Sequence, residues 1–250
     1  MVKQLTFFLL LFVVVVACAD DYIFATGRDG TEIVYTADRM IYTNWLGDCI
    51  LWHPFPSDVG GGSYPDYSTE QNDGSQSTAT NRPTWSSGSY DFNGVNEYID
   101  CGNDASLQIN TSNITVAFWV KKADTVSAHP ANKYDGASAG WYIILDYEGT
   151  NNIYWRPAAA TLELSVTLLN NWHHIVIAQS GTVASIYVDG DYVDQFTGCY
   201  ETASVTASFF IGVDQGSTFF DGFLDDFRNY KIALTSNQVN QIYLDTKGAH

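Results

Sequence analysis

The side chains best suited to hold a polyhydroxylated ligand fall together in one stretch, residues 140–157, which reads GWYIILDYEGTNNIYWRP. Sugar rings offer apolar C–H patches that lie against aromatic faces, while their hydroxyls need fixed polar partners. Here Tyr154 and Trp155 supply rings, Arg156 a forked donor, and Asp146, Glu148 and Asn152 the neighbouring carboxylates and amide. Alternate residues of a strand share a face. Trp141 and Tyr147 have the parity of Ile143 and Leu145, so they are expected in the core. Tyr154 or Trp155, on the following strand, is then the expected ring contact, with Arg156 beside it.

Other chemistry finds less support. Gly136-Ala137-Ser138-Ala139-Gly140 fits G-x-S-x-G, but a nucleophile elbow needs an apolar strand before the serine and a helix after it. A polar loop precedes it and the strand-like WYIILDY follows, so it reads as a turn. Adjacent strand residues point to opposite faces. On that rule His173 and His174 cannot clamp one metal ion, and Asp225 and Asp226 cannot work as paired carboxylates. Asp146 and Glu148 would share a side, without a third carboxylate in the run. No C-x-x-C spacing suggests a structural zinc.

The 250-residue chain has a formal charge of -17, with no basic stripe. Such a surface repels phosphate backbones, which makes nucleic acid and anionic membrane surfaces poor partner candidates. Residues 1–19 read as an export signal: Lys3, an apolar run from Leu5 to Val16, then Ala17-Cys18-Ala19 as an A-x-A-like cleavage site. The run is too short to span a bilayer comfortably. Val15-Val16-Ala17-Cys18 also fits a lipobox, in which Cys18 would become an acylated N-terminus. Both readings place the mature chain outside the cytoplasm, secreted or at the cell surface. Cys49, Cys101 and Cys199 leave two outcomes open, a disulfide with one free thiol or no disulfide. Asn110-Thr111-Ser112 and Asn113-Ile114-Thr115 are glycosylation sequons if the chain passes through a eukaryotic secretory pathway, with Asn110 the more accessible.

The elements that must position these residues are short, β-branched or aromatic runs separated by turn residues, which predicts an all-β protein. Residues 20–45 form an N-terminal extension with one expected strand, Thr31 to Tyr35; residues 46–246 hold the main domain. Cys49–Phe55, Gly140–Tyr147, Thr161–Leu168, His173–Ala178 and Ala184–Val188 read as strands, the last ending in an Asp189-Gly190 hairpin turn. Ile114–Val120 is apolar on both faces and belongs in the middle of a layered structure. One helix is expected near the C-terminus, capped by Thr235 or Ser236, with Val239, Ile242 and Tyr243 at helical spacing.

Several motifs then occur in a characteristic order: YDFNGVNEYIDCG, NITVAFWVK, NNWHHIVIA, IYVDGDYV and FFDGFLDDFRNYKIALTSNQVNQIY. Together they resemble the laminin-G-like and pentraxin-like branch of the concanavalin A-like lectin/glucanase superfamily. The resemblance implies a two-sheet antiparallel jelly-roll sandwich with one short C-terminal helix. It implies that Trp119, Trp172, Tyr187 and Phe223 fill the core and that His174 is a satisfied inward histidine. The function it implies is a lectin-like module that recognises carbohydrate or an extracellular surface protein, assisted by calcium. The alternatives are a structural or adhesive module without glycan binding and, more remotely, a diverged glycoside hydrolase or lyase. The E-x-D-x-x-E strand of the superfamily's glucanases is absent, which argues against catalysis. Calcium would be expected in the loop Gly212–Asp221, on Asp214, Gln215 and Asp221, where pentraxin-like proteins carry an acidic loop, here shorter and less acidic. A second expected set joins Asp66 and the Asn93–Asn96 turn to Asp225.

Overall fold

The computed structural model describes residues 47–250, apart from 59, 77, 110–111, 137–138, 165, 201–204 and 215–216, together with the backbone of four strands before them. Those four are β1 (Val14–Ala19), β2 (Tyr22–Thr26), β3 (Glu32–Thr36) and β4 (Met40–Thr43). They pair in sequence order within a unit of their own, Met1–Leu46. β3 overlaps the strand expected at Thr31–Tyr35. Residues 1–13 of the expected export signal, the Cys18 side chain and Asn110 and Thr111 of the expected sequon lie outside the described residues.

In the second unit, Gly47–His250, turn residues cut the chain into short strands. These are β5 (Cys49–His53), β6 (Ser63–Tyr64), β7 (Gly74–Ser75), β8 (Thr84–Ser86), β9 (Ser89–Asn93), β10 (Ile99–Asp100), β11 (Asn113–Lys122) and β12 (Ala128–Tyr134). There follow β13 (Gly140–Leu145), β14 (Asn152–Trp155), β15 (Ala160–Glu163), β16 (His173–Ser180), β17 (Val183–Val188), β18 (Asp191–Thr197), β19 (Phe210–Ile211) and β20 (Asp221–Tyr230). Helix α1 (Ser236–Thr246) comes last. One sheet has the order β15-β14-β13-β12-β19-β10-β7-β6. The other runs β18-β17-β16-β11-β20-β9-β8, with β5 also paired to β20. Two antiparallel eight-stranded sheets and a short terminal helix form the jelly-roll sandwich the sequence predicts.

Between the sheets lie Val116, Phe118 and Val120 of β11, Trp141, Ile143 and Leu145 of β13, and Phe227 of β20. Phe118 stacks on Phe227 at 5.7 Å. The opposite face of β11 is apolar because α1 covers it. Thr235 and Gln238 form a capping box that starts the helix, and Val239 and Ile242 are buried. Trp119 stacks on Tyr243 at 5.7 Å and donates from Nε1 to Thr246 Oγ1 at 2.8 Å.

The structure departs from the expected side-chain placement at several points. Trp119 and Tyr187 are buried as expected, but Trp172 and Phe223 are half-exposed. His174 is buried beneath α1 beside Trp119, yet neither ring nitrogen has a hydrogen-bond partner among the described residues. Asp225 and Asp226 do not point apart. The β11–β20 register shifts between Ala117 and Trp119, and Asp226 adopts a left-handed φ of 45°. This bulge inserts a residue and resets the alternation. Asp225 then pairs with His250 at 3.1 Å, and His250 stacks on Trp119. Asp226 accepts from Trp52 Nε1 at 2.7 Å and pairs with Arg228 at 2.9 Å. Cys49, Cys101 and Cys199 are free, buried thiols.

Candidate functional site

The outer face of the β12-β13-β14 region carries aromatic rings in register. Asn132 pairs with Phe210 on one side and Tyr142 on the other, and Arg156 N donates to Tyr142 O at 3.1 Å, so these four side chains form one rung across the sheet. The next rung is Ile144, Tyr154 and Thr161. Tyr142 and Tyr154 stack with centroids 5.7 Å apart and planes 17° from parallel. Tyr134 meets Tyr142 edge-on at 5.2 Å, and Tyr147 lies 5.1 Å from Tyr154.

Arg156 binds this cluster together. Its guanidinium carbon lies 5.0 Å from the Tyr134 ring and 6.0 Å from the rings of Tyr142 and Tyr200, and its Nη2 donates to the Tyr134 hydroxyl at 3.2 Å. The ring quadrupoles attract the cation, which has no carboxylate within ion-pair distance among the described residues. Burial, and then the adjoining Tyr154 phenol, push the Tyr142 hydroxyl up to about 12, so it stays protonated and able to donate. Asn132 Oδ1 and Asn152 Oδ1, among these rings, have no partner among the described residues. Both atoms are buried beneath the face, out of reach of a ligand lying on it. Chemically the face combines stacked rings with phenol and guanidinium donors.

The sandwich and this face can now be set beside known proteins. The family described as Laminin_G_3, of the concanavalin A-like lectin/glucanases superfamily, matches residues 93–240. The chain belongs to that superfamily. No curated protein sequence matches it. Among solved structures, it is similar to the binding domain of Paraclostridial Mosquitocidal Protein 1, with TM-score 0.59 and 17% identity over 79% of this chain and 52% of that one. It is similar to the botulinum neurotoxin serotype D ligand binding domain, solved with N-acetylneuraminic acid, with TM-score 0.62 and 14% identity over 80% and 52%. Domain 4 of AbnA, an extracellular arabinanase of Geobacillus stearothermophilus solved with arabinotriose, gives TM-score 0.57 and 17% identity over 78% and 98%. The chain thus spans about half the length of the toxin binding domains it matches. The two toxin neighbours are binding domains, and at such identities the likeness of all three is one of fold.

Within this concanavalin A-like scaffold the expected ligand residues divide. Tyr154 and Arg156 lie on the outer face, and Glu148 is exposed at its edge. Asn152 shares their parity but is 5% exposed, its amide nitrogen donating to Thr150 Oγ1. Trp155 was expected at the ligand and is instead in the core, fully buried, with Nε1 donating to Gln179 Oε1 at 2.9 Å. Asp146 is likewise removed from any ligand by a 2.6 Å ion pair with Lys122. Its left-handed φ of 54° ends the alternation of β13, which is why Tyr147 joins Tyr154 outside rather than Trp141 inside. Tyr134, Asn132 and Phe210 carry no motif, and only strand register could have placed them here; Tyr200 follows β18 and is held by its N–H on Pro157 O at 3.0 Å.

The expected calcium ligands that are described each have protein partners. Asp66 accepts from Trp52 N, Ser68 N, Ser68 Oγ and Asn72 N at 2.6–2.8 Å, so its oxygens organise their own loop. Asn93 caps its turn by accepting from the Val95 and Asn96 amides. Asp225 is committed to His250 and to the Asp226 amide. Asp214 Oδ1 accepts from Ser217 N and Thr218 N at 2.7 and 2.9 Å, Asp221 packs against Gly94, and Gln215 lies outside the described residues. Among the described residues, no group of three His, Cys, Asp or Glu side chains could hold a metal ion.

Proposed function

We propose that the tyrosine–Arg156 face binds carbohydrate and that the chain is a lectin-like recognition module working outside the cell. The observation that carries this reading is the half-exposed Tyr142–Tyr154 stack with the Arg156 guanidinium beside it. A sugar ring can lie on the tyrosines while its hydroxyls exchange hydrogen bonds with phenol and guanidinium groups. The ligands in the botulinum and AbnA structures, N-acetylneuraminic acid and arabinotriose, are saccharides, which supports the same ligand class here. The export signal read in the sequence supports the extracellular setting, and among the described residues no helix is long and apolar enough to cross a membrane. The reading needs no bound ion.

The module is read as a binder rather than a catalyst. Asp146, Asp225 and Asp226 are each engaged by Lys122, His250 or Arg228, so none of these carboxylates is poised across a cleft to act as acid or nucleophile. The test is a glycan array probed with the full chain and with Tyr154→Ala. Loss of one stacking ring is expected to weaken binding about tenfold, equivalent to about 1.4 kcal/mol. Unchanged binding of the variant to every glycan recognised by the parent would refute the assignment.

A further inference from the structure

The other sheet has a recess of its own on its helix-covered face. A cleft of about 180 Å³ is lined by Ser86, Ser87, Lys121, Trp172, Phe223 and His250, among others. Lys121 and Phe223 face each other in the β11–β20 register. Trp172 and Phe223 lie 6.2 Å apart at 58°, and Lys121 Nζ sits 4.3 Å from the Phe223 ring and 5.3 Å from the Trp172 ring. Both rings are half-exposed although their strand patterns favour burial. The Ser86 and Ser87 side chains are exposed on the β8–β9 turn and make no hydrogen bond among the described residues. Lys121 has no carboxylate within ion-pair distance among them.

We infer that this cleft is a second saccharide site, on the sheet opposite the tyrosine face, and that it takes a neutral sugar ring. Two rings at an angle make an apolar corner for the C–H faces of one sugar unit, while two hydroxyls and an ammonium supply donors around its rim. The size suits a single unit at the end of a chain rather than an extended polymer. Charge selects against an acidic sugar. Asp91 stands opposite Phe223 in the β9–β20 register, on the face that Lys121 shares, and offsets its ammonium, so the cleft offers an added carboxylate no unopposed cation. Two sites on opposite sheets would let one module engage two glycan chains, with a gain in avidity on a dense surface.

The test uses an array of neutral and uronate-bearing oligosaccharides with four proteins: the parent, Tyr154→Ala, Ser86→Tyr to plug the cleft, and both together. Trp172→Ala, checked by thermal unfolding, gives an independent way to empty the same corner. Tyr154→Ala is expected to keep binding to a subset of neutral glycans, and Ser86→Tyr or Trp172→Ala to weaken that subset at least tenfold. The cleft is overturned if Tyr154→Ala abolishes all binding, if neither cleft variant alters any glycan signal, or if the retained subset is confined to uronates. Binding that depends on the cleft alone would uphold this inference while refuting the tyrosine face. A parent protein that binds no glycan at all would overturn both.

Discussion

Replacing Asp146 with asparagine should strongly destabilise the sandwich. The Lys122 side chain is fully buried at the end of β11 and that of Asp146 is 9% exposed, with Nζ and Oδ2 2.6 Å apart. The other groups around the ammonium are the Val126 carbonyl and Asp124, 3.8 Å away with a side chain 35% exposed. Asparagine keeps the size of Asp146 and tolerates its left-handed backbone, so the change removes charge with little added strain. Breaking a buried pair from one side costs about 3–5 kcal/mol, because the remaining charge stays out of water. Partial compensation by Asp124 sets the expectation at about 3 kcal/mol, the low end of that range. For a domain of this size that corresponds to a fall in Tm of roughly 6–12 °C. Equilibrium urea unfolding followed by tryptophan fluorescence gives the free energy, and calorimetry the Tm. Adding Lys122→Met should recover most of the loss, since it removes the stranded cation. A loss below about 1 kcal/mol for Asp146→Asn, or no recovery in the double variant, would refute the argument. Intact stability with impaired glycan binding would instead return Asp146 to the ligand.

Two further predictions concern acid and calcium. Burial lowers His174 from 6.5 to about 4, with Asp226 and Asp189 opposing that shift and Arg228 and His250 adding to it. A depressed histidine contributes stability that is complete above 6.5 and is lost as pH falls toward 4, on the order of 3 kcal/mol in all. Burial raises Asp225 to about 6, which slopes the opposite way, its contribution being lost as pH climbs from 3.8 toward 6. His174→Gln should therefore flatten the acid limb of the urea midpoint, and an unchanged limb would show that another group titrates there. Asp214→Ala should cost about 1 kcal/mol through loss of its two amide partners, equally in calcium and in chelator. A calcium-dependent rise in Tm that disappears in this variant would establish an ion in the Gly212–Asp221 loop.

The sequence by itself determined the sandwich. Short apolar runs with period-two alternation, turn residues between them and the Thr235 cap are local signals, and each specifies its own element whatever the rest of the chain does. Ile114–Val120 even announced its central position, because a strand apolar on both faces has to be covered twice. Parity within β14 could not say which side was the core. Tyr154 and Trp155 have opposite parity, and only packing against Gln179 and the inner sheet decided that Trp155 goes in while Tyr154 and Arg156 face out. Two left-handed residues, Asp146 and Asp226, reset the alternation and moved Tyr147 and one of the adjacent carboxylates away from the faces a regular strand would give them. Phe210's place in the tyrosine rung and the Trp172–Phe223 cleft depend on register between segments far apart in the chain, and no local periodicity encodes that register. It is settled when both sheets bury their inner faces together, since a slip of one residue would turn every inward side chain to solvent.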